Sequence, residues 1–345
     1  MSVKERAAGL LSHAGLLRML EQLPTQPGIL VFNHHRIGDR DSCQYDRQLF
    51  SASAEQFDYQ LSYIKRHFPV LLPHELGEMI SQKRSLKRMH AMITFDDGYL
   101  DNYTIAYKIL RQHDLTATFY LVSNYVGTGY LPWWDLIAYL IRQSPEQSLD
   151  LSYCKERPLL LEPDREAAIQ TVVAAYKSNL NQDAATFLRE LQDQSGVAAP
   201  TAARRFLDWN EAREMVAGGM EIGAHTQTHP IMSRLSSEDQ RRELTQSKVT
   251  LEEQLGAKVE SLAYPNGSPK DFTPDTLRHV EEAGYTTAFS FYGGINRQYW
   301  SEPYNLLRVS PDARSRSFRL DAILGSRFED VAGVLRNIYG KIRRN

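Results

Sequence analysis

Ile93-Thr94-Phe95-Asp96-Asp97-Gly98 is the stretch on which the reading of this chain turns. The apolar run Ala91 to Phe95 reads as a buried strand, and two adjacent carboxylates and a glycine follow it. Charge at the end of a buried strand is rejected by a core unless a cation or a reaction requires it there. Taken alone, the hexapeptide also reads as an ordinary Asp-Asp-Gly turn. A partner elsewhere in the chain decides between the two.

Upstream, Gly28 to Phe32 is a continuous apolar run of the kind buried on both faces, and it leads into Asn33-His34-His35-Arg36. Ser53 and Gln56 form a capping box for a helix carrying Phe57, Leu61 and Ile64, and Val70-Leu71-Leu72 reads as a short strand before a helix from Pro73. Downstream, a helix through Tyr103, Ile105, Tyr107, Ile109 and Leu110 leads to a strand over Ala117 to Val122. Strand alternating with helix implies parallel strands joined by crossover helices. From about 127 to 205 the alternation lapses into helical stretches, Trp133 to Leu140, Arg165 to Leu180 and Ala184 to Gln194, with no strand pattern. It then resumes. A helix capped by Asn210 precedes Met220 to Ala224, Ser236 and Asp239 open a long helix ending at Gly256, and Val259 to Tyr264 follows. Thr273-Pro274 starts another helix, and Thr287 to Phe291 and Leu306 to Val309 are the last strand patterns. About seven or eight strands alternating with helices fit an α/β fold, a distorted and nearly closed β/α barrel. The expected organisation is an N-terminal amphipathic helix over 1–27 and a barrel domain over 28–345 with a helical insertion at about 127–205. No GxGxxG or P-loop is present, which speaks against a nucleotide-binding doubly wound sheet.

Composition agrees with a folded globular chain: 345 residues, 42% hydrophobic and 24% charged. A net charge of −2 provides no general attraction to nucleic acid, so no nucleic-acid partner is expected. The two cysteines, Cys43 and Cys154, make no disulfide framework and no Cys-x-x-Cys pair, which fits a reducing compartment. In the N-terminal helix, Val3, Ala7, Leu10, Leu11, Ala14, Leu17 and Leu20 recur at helical spacing, interrupted by His13 and Arg18. With no small-residue cleavage site and too short an apolar run for a membrane span, this helix is expected to dock on the protein's own core. Peripheral attachment to a membrane surface is the weaker alternative, because Lys4, Arg6 and Arg18 are offset by Glu5 and Glu21. The expected location is the cytoplasm or the inner face of its membrane.

In parallel β/α folds the chemistry collects where strands end at their C-termini. Four such ends are polar here: His34-His35, Asp96-Asp97, His225 with His229, and Tyr264-Pro265-Asn266-Gly267. The partner that the opening stretch lacked is His225-Thr226-Gln227-Thr228-His229-Pro230. Two histidines four apart face one point if the segment makes a single turn. Two imidazoles and a carboxylate are a normal ligand set for zinc, with a position left for water. A lone histidine after a strand more often satisfies a local backbone group, but two such pieces at strand ends make a one-metal site the better reading.

Thr94-Phe95-Asp96-Asp97-Gly98, His225-Thr226-Gln227-Thr228-His229-Pro230 and Ala263-Tyr264-Pro265-Asn266-Gly267 resemble, in order, the first three motifs of the polysaccharide deacetylases. These are the NodB-homology proteins, or carbohydrate esterase family 4. The resemblance spans roughly residues 28 to 310 and implies a NodB-type barrel. It implies that Asp97, His225 and His229 bind one divalent ion, usually zinc, and that Asp96 is the general base for the water this ion activates. Tyr264, Pro265 and Asn266 would lie on the substrate side, the backbone N–H of Asn266 helping to hold the developing oxyanion; Asn266 replaces the usual tyrosine.

Two departures from the family pattern stand out. Many members carry an arginine shortly before Pro-x-Gly that holds the catalytic aspartate, whereas Glu253 to Asp271 contains none. Members often end in Leu-x-His, whose histidine protonates the leaving amine, whereas this chain has Leu306-Leu307-Arg308. Arginine cannot act as that acid. Arg308 is instead expected to pair with a carboxylate such as Asp96 from another strand, and His35 is the substitute acid. Either reading has a bland counterpart, a surface Arg308 and a His35 that only packs. Trp133 and Trp134, adjacent on a helix, cannot share one face, so at most one of them offers a platform to a sugar ring.

The activity implied is removal of an N-acetyl group from an N-acetylated saccharide, a polysaccharide or its lipid-linked or nucleotide-linked precursor in envelope or exopolysaccharide assembly. The alternative is a catalytically impaired relative that binds carbohydrate. A metal phosphoesterase fits less well, since that chemistry commonly uses two metals and the sequence offers ligands for one.

Overall fold

All seven residues of the first strand, β1 (Gly28–His34), are buried. In the computed structural model, which describes residues 3–155, 157–179, 184–201 and 203–327, this strand pairs in parallel along its whole length with β2 (Met89–Phe95), from Gly28 opposite Met89 to His34 opposite Phe95. The remaining barrel strands are β3 (Thr118–Leu121), β4 (Glu221–Ala224), β5 (Ser261–Ala263), β6 (Thr287–Phe289) and β7 (Arg308–Val309). They form one seven-stranded sheet in the order β6-β5-β4-β3-β2-β1-β7. Every pairing is parallel. A bridge between Phe289 and Leu306, with Ser290 N donating to Leu306 O at 2.8 Å, brings the run into β7 against β6 and nearly closes the barrel. Val70 makes only an isolated bridge to Ala91, so the short strand expected at 70–72 is not a barrel strand.

The two faces of each strand have separate tasks, because successive side chains point to opposite sides. Leu30, Phe32, Ala91, Ile93, Phe95, Phe119, Leu121 and Ile222 form the layer beneath the helices, with Phe57, Leu61 and Ile64 of the helix Ala54–His67. Ile29, Val31, Met92, Tyr120, Ala263 and Phe289 form a second, inner cluster. The barrel is therefore filled with side chains, with Thr118, Ser261 and Thr287 of the same parity buried at the N-terminal strand ends and the titratable groups of the site at the C-terminal ones. Gly223 is needed inside: a Cβ there would lie 2.3 Å from the ring of Tyr120.

The N-terminal segment is two helices, Val3–His13 and Leu16–Glu21, broken where Gly15 takes a φ of 71°. Ala8 and Leu17 pack with Leu320 and Ile323 of the helix Ser315–Arg327. Leu10 and Met19 remain exposed. No described helix is long and apolar enough to cross a membrane.

The chain divides into two compact units, one comprising 1–38, 50–128 and 206–345, the other 39–49 and 129–205. In the second, the helices Trp133–Gln143, Arg165–Asn179 and Ala184–Ser195 enclose Ile137, Leu140, Ile141, Ile169, Val172 and Leu191. The segment 39–49, which sequence patterning does not associate with the insertion, is held by Arg142 donating to the carbonyls of Gln44 and Tyr45 and by Asp46 N donating to Asp135. This unit contains two short antiparallel strands, Ser148–Leu149 and Leu159–Leu160, where sequence patterning shows none. Trp134 is buried, and Trp133 stacks on Tyr176 with ring centroids 4.4 Å apart. Leu180, the expected end of one helix, and residues 328–345 of the expected domain lie outside the described residues. The helix after 205 is capped by Asp208 rather than Asn210, since Asp208 Oδ1 accepts from the N–H groups of Asn210 and Glu211.

Candidate active site

The register that pairs β1 with β2 carries Asn33, His35, Thr94 and Asp96 to the inner side at the strand ends, while His34 falls on the outer side. His34 is buried against Phe57 and Phe95, its Nε2 lies 3.1 Å from Gln60 Oε1, and burial pushes its pKa down to about 4. His34 is thus a neutral core residue. His35 is partly exposed, with Nε2 3.9 Å from Asp96 Oδ2. Its backbone is pinned by Ser51 Oγ, which accepts from its N–H, and by Asn102 Nδ2, which donates to its carbonyl.

Arg308 reaches Asp96 from β7, on the far side of β1 in the sheet. Its Nη1 donates to Asp96 Oδ1 at 2.6 Å and its Nη2 to Oδ2 at 2.9 Å, a bidentate pair buried completely. Its Nε donates to Ser290 O, and its guanidinium lies 5.6 Å from the Tyr120 ring centre. Asn33 completes the arrangement by donating to Asp96 Oδ2 at 3.0 Å and accepting from Arg308 and Thr94 on Oδ1. Burial alone would raise the Asp96 carboxyl, but the Arg308 charge, with His225 and His35, holds it well below the usual carboxylate range.

Asp97 turns out of the strand line with a φ of 72°. Its Oδ1 lies 3.6 Å from His225 Nε2 and 3.4 Å from His229 Nε2. One ligand atom from each of these three residues falls within 4.8 Å of the others. Tetrahedral zinc at about 2.0–2.1 Å from its ligands sets them roughly 3.3 Å apart, so the set fits a metal ion. The tautomer fits as well. His225 Nδ1 lies 2.7 Å from Ala263 O, so it carries the proton and leaves the Nε2 lone pair facing Asp97. Burial keeps the His225 pKa below the ordinary imidazole value, against the Asp96 charge, which favours the neutral ligand form.

Six described non-glycine residues adopt positive φ, and four of them, Asp97, Thr226, His229 and Asn266, belong to these motif loops. Such backbone costs energy and persists where its surroundings hold it. Gly267 shows how tight the third loop is: a Cβ there would meet Phe291 N at 2.7 Å. That loop corrects one expectation. The Tyr264 side chain is buried in the core, stacked on Phe272 and donating to Tyr304 O, so it does not face the site. Arg308 is fully buried and bonded to Asp96, the partner expected for it, rather than lying at the surface, so it does not reach the substrate side. Pro265 and Asn266 begin one residue beyond the end of β5. Asn33 shows in the sequence only as a polar residue in an otherwise buried strand, and Glu243, which contacts the His225–His229 loop, is one of many charged residues on a mostly exposed helix and carries no signal there.

A model of the polysaccharide deacetylase family matches residues 83–288. YxkH of Bacillus subtilis (strain 168) is 19% identical over 289 residues, covering 84% of this chain and 74% of that protein. The poly-beta-1,6-N-acetyl-D-glucosamine N-deacetylase of Staphylococcus epidermidis is 25% identical over 108 residues, 29% of this chain and 37% of that one. Among solved structures, the Streptococcus pyogenes deacetylase PplD in complex with acetate superposes with a TM-score of 0.55 at 19% identity, covering 87% of this chain and 99% of PplD. With a matched model over more than half its length and the same nearly closed seven-stranded barrel, this chain belongs to the polysaccharide deacetylase family.

Proposed function

We propose that this protein is a metal-dependent hydrolase that removes the N-acetyl group from an N-acetylated sugar of a polysaccharide or its precursor. The observation that carries the reading is Asp96, ionised in the grip of Arg308 and adjacent in the chain to the Asp97, His225 and His229 cluster. Asp97, His225 and His229 would hold one divalent ion, zinc being the best match to two imidazoles and a carboxylate. When bound, that ion would supply a Lewis acid that polarises the acetyl carbonyl and lowers the pKa of the attacking water.

The remaining steps belong to the chain itself. Asp96 accepts the proton of the water as it attacks. Its Oδ2 already receives donors from Arg308 and Asn33, whereas Oδ1 receives one from Arg308, so Oδ1 has the free lone pair for this task. The backbone N–H of Asn266 is the donor assigned to the developing oxyanion. His35 delivers a proton to the nitrogen of the leaving amine, which departs as the free amino sugar while acetate remains.

The test is acetate release from N-acetylglucosamine oligomers by the zinc-loaded protein. Asp96→Asn is expected to lower the rate by about 10²–10⁴-fold with zinc still bound. His35→Ala is expected to lower kcat by about 10²–10⁴-fold with zinc still bound, because the leaving amine then lacks its proton donor. A wild-type protein as inert as Asp96→Asn across β-1,4- and β-1,6-linked oligomers would sink the proposal in favour of a carbohydrate-binding role.

A further inference from the structure

The loop from His225 to His229 carries two proposed ligands, and a side chain outside all the motifs holds it. Glu243, buried on the helix Ser237–Leu255, accepts the N–H of Gln227 at 2.8 Å and that of Thr228 at 2.9 Å on Oε2. Its Oε1 accepts the Thr228 hydroxyl at 2.6 Å. The loop's carbonyls are held from the opposite side: Ser123 N donates to Thr226 O, Asn124 N to Gln227 O, and Tyr125 Oη to Thr228 O. Within the loop, His229 N donates to Thr226 Oγ1. Thr226 and His229 take φ values of 65° and 62°, a conformation that does not persist in a β-branched residue and a histidine without external support.

We infer that Glu243 is a positioning residue for the metal, one that locks the His225–His229 loop in its ligating shape before the ion arrives. This rests on the metal site of the proposed function. Three donors converge on Glu243, and only a carboxylate answers all three, having two acceptor oxygens and no hydrogen to oppose them. Glutamine keeps one acceptor and turns an NH₂ group toward the other donors. Partners of metal ligands that set their orientation typically alter affinity by about 10–100-fold when removed. Glu243 does this one step further out, through the backbone between the two histidines.

The experiment is zinc titration of the chelator-stripped full chain against a competing chromophoric chelator, without any substrate. Glu243→Ala is expected to weaken zinc binding by about 10–100-fold, with Glu243→Gln intermediate. Gln240→Ala is the control for stability alone. Gln240 lies one turn earlier on the same helix, is buried, and bonds to Leu235 O and Thr276 Oγ1 rather than to the loop. Its loss is expected to lower the melting temperature and leave zinc affinity unchanged. If Glu243→Ala does not fold, the Gln variant carries the comparison. Affinities of the Glu243 variants within about threefold of wild type, or an equal loss in Gln240→Ala, would overturn the inference while leaving the proposed function standing. A wild-type chain that takes up no zinc would overturn both.

Discussion

At the scale of single residues, the decisive contact is Arg308 on Asp96. Both side chains are buried, so neither charge has water to fall back on. Removing one partner from a buried, hydrogen-bonded pair strands the other and typically costs about 3–5 kcal/mol. Arg308→Met is therefore expected to destabilise the fold by about that amount in denaturant unfolding at neutral pH. The pH dependence has a definite sign. Asp96 has its folded pKa below its unfolded one, so its contribution is fully present above about pH 4 and is lost as pH falls through the folded value. The gap between wild type and Arg308→Met should accordingly narrow as unfolding is measured at progressively lower pH below about 4.

At the scale of elements, the N-terminal helices are attached by charge as well as by Ala8 and Leu17. Lys4 Nζ lies 3.0 Å from Asp312 and also pairs with Asp321, and Arg319 is bidentate to Glu21 at 2.9 and 3.1 Å. Asp312 also accepts the Arg314 N–H and guanidinium. Burial opposes its ionisation, but Arg314 and Lys4 outweigh this and bring its pKa to about 2. Its contribution should be present above about pH 4 and lost between about pH 4 and 2. Asp312→Asn is expected to flatten the stability–pH curve in that window, read by thermal melts, with little change at pH 7 relative to its own acid value. Unchanged curvature would remove Asp312 from the docking. These bonds use one side of the helices, and Leu10 and Met19 on the exposed side take no part.

At the scale of the whole molecule, the motif loops are brought together by barrel strands far apart in the chain. A ligand bound only by the folded state adds stability by mass action, about 4 kcal/mol at a thousand times its dissociation constant. Chelation is therefore expected to abolish acetate release and lower the melting temperature, with both restored by added zinc; an unaltered melting curve would argue against a metal in the folded protein. Much of this architecture was legible beforehand, because apolar runs and helix caps act over a few residues. The Ser53–Gln56 capping box, the parallel strand–helix alternation and the placing of Asp96-Asp97 and His225…His229 at strand ends all follow from local pattern. Local pattern alone could not tell His34 from His35, since that depends on which parity of β1 faces inward. Nor could it place the Tyr264 side chain in the core or reveal Asn33 and Glu243 as supports. The Arg308–Asp96 pair spans 212 residues and exists only because β7 closes beside β1. The sequence by itself determined the residue types and their strand-end positions, because these follow from short-range periodicity and turn chemistry. The tertiary structure alone decided between a surface Arg308 and one paired with Asp96, and which side chain braces the His225–His229 loop, because both depend on groups that only barrel closure brings within hydrogen-bonding distance.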